Sequence, residues 1–160
     1  MLRLNNVEVS YLNVIRVLHG VSLSVEDGSI VEIARGSRLR GIAISPGGNW
    51  LVYQVTSSGD PSQDGLWLAK TDTSQRRRLD LFGAYRWRDD GRLYLIPLDL
   101  SQPFHVLWEV EAASGVSRPL TDPAITPFKI ANGDWSISPD GRQVAFVSAE
   151  DHNIWLLRLP

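Results

Sequence analysis

At 160 residues the chain has the size of one ordinary domain, and 43% hydrophobic against 21% charged residues marks it as globular rather than disordered. A net charge of -2 lacks the basic excess expected for a nucleic-acid or anionic-membrane partner, and the absence of cysteine excludes disulfides and thiolate metal sites. No apolar run approaches the roughly 20 residues of a membrane-spanning helix. Asn5, Asn6, Glu8, Asn13 and Arg16 interrupt the N-terminal stretch, which argues against a secretory signal and makes the cytoplasm the expected compartment.

Residues 1–40 read as a β-rich segment. Leu2, Leu4, Val7 and Val9 lie roughly at strand period, and Val21, Leu23 and Val25 alternate with polar neighbours. Glu26-Asp27-Gly28 is a turn signal, followed by Ile30, Val31 and Ile33. The pattern predicts a strand, a link and then a hairpin turning at 26–28.

Within 1–33, the opening LRLNNVEVSY, the segment VLHGVSLSV and the DGSIV that follows resemble the start of an ABC transporter ATP-binding subunit, most closely the branched-chain amino-acid type. The resemblance implies an ATP-binding component of a transporter, with Tyr11 in the place of an aromatic that stacks on adenine. The family's next element is a G-x-x-x-x-G-K-[ST] loop that holds phosphates. Here the chain runs Ala34-Arg35-Gly36-Ser37-Arg38-Leu39-Arg40 instead, and it has no LSGGQ stretch and no strand ending in Asp-Glu. Nucleotide hydrolysis is therefore left without its machinery.

From residue 41 the chain repeats. Three stretches, IAISPGGNWLVY, YRWRDDGRLYLI and WSISPDGRQVAFV, each place a tight turn between short apolar strands. Their glycines Gly48, Gly91 and Gly141 are 43 and 50 residues apart, and the later landmarks Trp67, Trp108 and Trp155 are 41 and 47 apart. A unit of ~40–50 residues built of four short strands is a propeller blade. The predicted strands are 41–45, 49–55, 65–71 and 76–81, then 84–88, 93–98, 105–111 and 116–121, then 134–138, 143–148 and 153–159. The blades span 41–81, 82–124 and 125–160, and the last lacks its fourth strand. Glycine serves the turns by tolerating positive φ. The six tryptophans, two to a repeat, are expected between neighbouring blades.

SPDGRQVAFVSAEDHNIWLLRL resembles a TolB-like, WD-related propeller repeat. The first repeat keeps Ser45-Pro46 but has Gly47 where Asp is usual, and the second keeps only Asp90-Gly91. Members of that family serve as protein-binding scaffolds or as gating domains of serine peptidases. The fold expected is thus all-β, a partial β-propeller preceded by the 1–40 segment.

Catalytic constellations are sparse. His19, His105 and His152 are not spaced as metal ligands and read as surface or hydrogen-bonded side chains. There is no G-x-S-x-G elbow. Asp60, Asp64, Asp89, Asp90, Asp140 and Asp151 fall in predicted turns; turn chemistry accounts for them, with calcium as the alternative. Arg76-Arg77-Arg78 lies on a predicted outer strand, either as a solvated edge or as a site for an acidic partner. Thr56–Gln63 is a polar loop that lengthens the first blade.

The expected function is a non-catalytic scaffold module for a protein or peptide partner, with no cofactor, no metal, no nucleic acid and no membrane span. The alternatives are an ATP-binding transporter component and the propeller part of a serine peptidase system. Three blades do not close a ring. The expected origin is a truncated or fused gene product, and a homodimer would complete a six-bladed ring.

Overall fold

The computed structural model describes residues 2–11, 15–25, 30–36 and 38–159, with side chains for 30–36 and 38–159. It divides into two compact units, Met1–Glu32 and Ile33–Pro160. In the first unit, β1 (Leu2–Tyr11) and β2 (Ile15–Val25) form a two-stranded antiparallel sheet. The chain reverses between Tyr11 and Ile15, which are paired, and Leu2 meets Val25 at the other end. This corrects the expected hairpin: its strands lie before residue 26, and Ile30, Val31 and Ile33 belong to no strand. The turn residues Glu26-Asp27-Gly28 lie outside the described residues.

The second unit is three antiparallel sheets in which each strand pairs only with its sequence neighbours. The first blade is β3 (Leu39–Ile44), β4 (Trp50–Val55), β5 (Gly65–Lys70) and β6 (Arg76–Leu79). The second is β7 (Gly83–Trp87), β8 (Arg92–Pro97), β9 (Trp108–Glu111) and β10 (Ser117–Pro119). The third is β11 (Ile130–Ile137), β12 (Gln143–Ser148) and β13 (Ile154–Arg158).

The period-two alternation of β8 explains how the blades stack. Leu93 and Leu95 face the first blade, joining Trp50, Val52, Leu66, Leu68, Leu79 and Val110 in one core. Tyr94 and Ile96 face the third, joining Trp135, Val144, Phe146 and Leu157 in another. Each fully buried leucine contributes about 1.5–3 kcal/mol. Successive meanders packed face to face in this way are the blades of a β-propeller.

Two strand boundaries move for local reasons. β9 starts at Trp108 rather than 105, because His105 N–H donates to the Phe128 carbonyl at 2.8 Å and Leu107 N–H to Thr121 Oγ1 at 2.9 Å. β11 starts at Ile130 rather than 134, with a register break between Ile130 and Trp135. Asn132 (φ 53°) and Gly133 (φ 69°) form that bulge.

The three hairpin turns are built differently. In the third blade Ser138 Oγ donates to Asp140 at 2.5 Å, Arg142 N–H donates to the same carboxylate at 3.0 Å, and Gln143 N–H donates to Ser138 Oγ at 2.9 Å. The first blade has the same serine bond, Trp50 N–H to Ser45 Oγ at 3.0 Å. Its carboxylate comes from the second blade: Asp90 accepts from Ser45 Oγ, from Gly47 N–H at 3.0 Å and from Asn49 Nδ2 at 2.6 Å. Gly48 and Gly141 have positive φ, as expected, whereas Gly91 does not.

Candidate functional site

The join between the second and third blades holds a cavity of about 250 Å³, lined by Ala84, Ile96, Pro97, Leu98, His105, Ile130, Gly133 and Trp135. A second cavity of about 270 Å³ adjoins it through the shared Pro97 and His105, and is walled also by Phe104 and Trp108. The geometry follows from the two shifted strand ends. The 98–107 connection leaves the second sheet and ties to Phe128, while the bulge in β11 turns Gly133 aside.

Two residues of the first cavity's wall carry polar side chains. His105 Nδ1 accepts from Ile130 N–H at 3.1 Å, and the ring sits edge-on to Phe128 with centroids 6.1 Å apart. Burial first, and then the charge of Lys129, hold its pKa below the usual 6.5. The imidazole is therefore neutral at pH 7, with its proton on Nε2. Trp135 is 4% exposed, and its indole Nε1–H is buried with no hydrogen-bond partner. The Arg86 guanidinium stacks over the Trp135 ring at 5.2 Å and donates to the Tyr85 carbonyl at 2.7 Å.

The residues singled out from the sequence have mainly structural tasks. Tyr11 ends β1, and its side chain lies outside the described residues, as does that of His19. His152 is an exposed turn residue with φ 59°. Asp60, Asp64, Asp89, Asp140 and Asp151 each accept hydrogen bonds from groups in their own turns, whereas Asp90 reaches across to the neighbouring blade. Among the described residues no cluster of three His, Asp or Glu could hold a metal ion.

The arginine run lies on β6, the edge strand of the first sheet, with Arg76 and Arg78 exposed, as the solvated-edge reading expects, and each side chain also has a partner. Arg76 stacks over Trp67 at 4.2 Å, Arg77 donates to the Ser114 carbonyl and to that of Ala113 at 2.6 Å, and Arg78 Nε donates to the Asp64 carbonyl at 2.7 Å. The tryptophans also divide. Trp50, Trp87 and Trp135 serve the interblade cores, with Trp87 Nε1–H donating to the Ala43 carbonyl of the first blade at 3.1 Å. Trp67 instead lies on the outer face of the first blade, Trp108 lines the second cavity, and Trp155 is 54% exposed.

The loop 56–63 folds onto Asp64, which accepts from Ser57 and Ser58 N–H at 3.0 and 2.9 Å, and it borders an open groove with Arg78 and Phe82. Sequence reasoning passed over the His105–Trp135 cavity, because its walls come from segments near residues 84, 97, 105 and 133. The available signal was Asn132-Gly133, a turn-type dipeptide set inside a strand.

The chain is similar in structure to TolB from Acinetobacter baumannii, at 16% identity and a TM-score of 0.47 over 76% of this chain and 29% of that one. It is also similar to an oligogalacturonate lyase solved in complex with manganese, at 15% identity and a TM-score of 0.44 over 77% and 49%. The fold is a partial β-propeller. The chain thus spans less than half the length of either structure. No family model matches it, and no curated protein does. The ABC resemblance of residues 1–33 therefore finds no support in a family model or a curated protein.

Proposed function

We propose that the chain is a non-catalytic binding module that takes an extended segment of a protein partner along β13. One observation carries this reading. Ile154, Trp155 and Leu156 are 80%, 54% and 49% exposed on a strand whose outer edge has no partner among the described residues. The first two blades carry β6 and β10 at the corresponding place. An open edge supplies main-chain hydrogen bonds for an added strand, and exposed alternate side chains supply selectivity.

The test is retention of a displayed library of extended peptides by the folded chain. Ile154→Asp and Leu156→Asp are expected to abolish retention. Retention of no peptide, or retention indifferent to both substitutions, would sink the proposal. Light scattering separates the other occupant. A mass twice the 17.9 kDa of one chain, halved by Leu156→Asp, would identify a second copy there instead and support the six-bladed dimer.

A further inference from the structure

We infer that Asn132-Gly133 is a self-modification site: the folded chain expels the Asn132 side-chain amide as ammonia and is left with isoaspartate in the bulge of β11. The inference is independent of β13. Of the three asparagines whose side chains are described, two are held. Asn49 Nδ2 donates to Asp90 at 2.6 Å and Asn153 Nδ2 to Asp151 at 3.0 Å, and each is followed by a bulky residue, Trp50 or Ile154. Asn132 is exposed, its amide bonds to no described residue, and glycine follows it. It is the one Asn-Gly pair in the sequence.

The backbone is set for the reaction. Asn132 and Gly133 both have positive φ, 53° and 69°, the signs of the two central residues of a type I′ turn. Flipping the peptide plane between them gives the type II′ arrangement, in which Asn132 keeps its positive φ, its ψ falls to about −120° and Gly133 φ turns negative. At that ψ the Gly133 nitrogen eclipses the Asn132 Cβ and comes alongside Cγ. Glycine passes readily between the two signs of φ. A Cβ at Gly133 would meet nothing within 4 Å, so the residue has open space in which to turn.

The deprotonated Gly133 nitrogen then attacks Cγ. The new C–N bond closes a five-membered imide, and Nδ2 leaves as ammonia. Water opens the ring at either carbonyl: attack at Cγ gives aspartate, and attack at the former main-chain carbonyl gives isoaspartate. Amide and water have become acid and ammonia, with no change of oxidation state. The product adds one negative charge to a chain whose net charge is -2. Isoaspartate also adds one methylene to the main chain between Ile130 and Trp135, where the register is already broken. Gly133 lines the cavity between the second and third blades, so the change falls at the wall of that cavity.

Mass spectrometry of the whole chain, held folded in mildly alkaline buffer and digested at intervals, tests this. The tryptic peptide 130–142 is expected to gain the mass difference between amide and acid, while Asn49 and Asn153 keep their amides. An isoaspartate methyltransferase should label the product at 132. Isomerisation at Asp140-Gly141 changes no mass, so the gain reports Asn132 alone. The chain unfolded in guanidinium chloride supplies the rate due to sequence by itself, and conversion in the folded chain should keep pace with it. An Asn132 amide that persists in the folded chain after the unfolded chain has converted overturns the inference, as does equal loss from Asn49 and Asn153. Gly133→Ala should retain the amide; if that variant does not fold, the comparison of folded with unfolded chain decides alone. Leu156→Asp, which removes the β13 surface, should leave the rate unchanged, so the two proposals fail separately.

Discussion

The first and third blades share a hairpin design and finish it in opposite ways. The outer face of the first blade is closed by its own chain. Tyr53, Val55 and Ala69 are buried there beneath Ile33, Ala34, Leu39, Leu51 and Trp67, with Arg76 laid over Trp67. The third blade leaves Ile154 and Leu156 bare. At the turn the roles reverse. The third blade holds its own turn with Asp140, while the first depends on Asp90 of its neighbour. A blade can therefore be complete in its apolar face and dependent in its polar turn, because the two are specified by different residues.

The largest expected effect breaks the closed face. Tyr53 is 1% exposed, and Tyr53→Ala should cost about 3–5 kcal/mol in urea unfolding, the range for truncating a buried aromatic. A cost below 1 kcal/mol would show that the face is not closed in solution.

The second test concerns the shared carboxylate. Asp90→Ala should cost about 1–2 kcal/mol, since it removes charge-assisted bonds to Ser45, Gly47 and Asn49 at a partly exposed site. A Cβ at Gly47 would meet the Asp90 carboxyl carbon at 2.6 Å, so Gly47→Asp alone should also destabilise. In the Asp90→Ala background the same substitution should restore stability, because it rebuilds the arrangement seen at Asp140. Additive losses in the double variant would break the comparison.

Smaller still, Leu156→Ser on the open face should change stability by no more than about 0.5 kcal/mol while lowering self-association in light scattering.

The smallest effect is in acid. Asp151 accepts from Asn153 N–H and Nδ2 and from Trp155 Nε1–H, and these bonds lower its pKa from 3.8 to about 2. A depressed carboxylate stabilises the fold above its unfolded value and loses that contribution as pH falls through the folded one. Trp155 fluorescence should therefore change between about pH 4 and pH 2. The step should vanish in Asp151→Asn; its persistence there would assign it to another turn.

The three hairpins were legible because their evidence is local: alternation on both sides of a glycine turn. Residues 1–33 were read less well for a local reason too. The sequence between the paired Tyr11 and Ile15 carries no glycine or proline to announce a turn, while Glu26-Asp27-Gly28 reads as one. The three strands that the described residues give the third blade were visible from spacing. The cavity and the Asp90 bridge were not, since both depend on which blade faces which. Arg76-Arg77-Arg78 was legible as an exposed edge strand, but its partners were not. A run of like charge suggests solvent, and Arg76 and Arg78 are exposed, while alternation sends Arg77 to one face and Arg76 and Arg78 to the other, each to its own partner.

The Asp90 bridge also bears on how such a repeat can be inherited. A repeat that carries its own carboxylate, as the third does, can be copied, moved or appended and still close its turn. The first cannot, because Gly47 leaves a space that only the following repeat fills. Duplicating residues 41–81 alone would yield a hairpin with no anion in its turn, so the first two blades form the smallest heritable unit of this stack, and recombination between them should be tolerated less readily than recombination after residue 124.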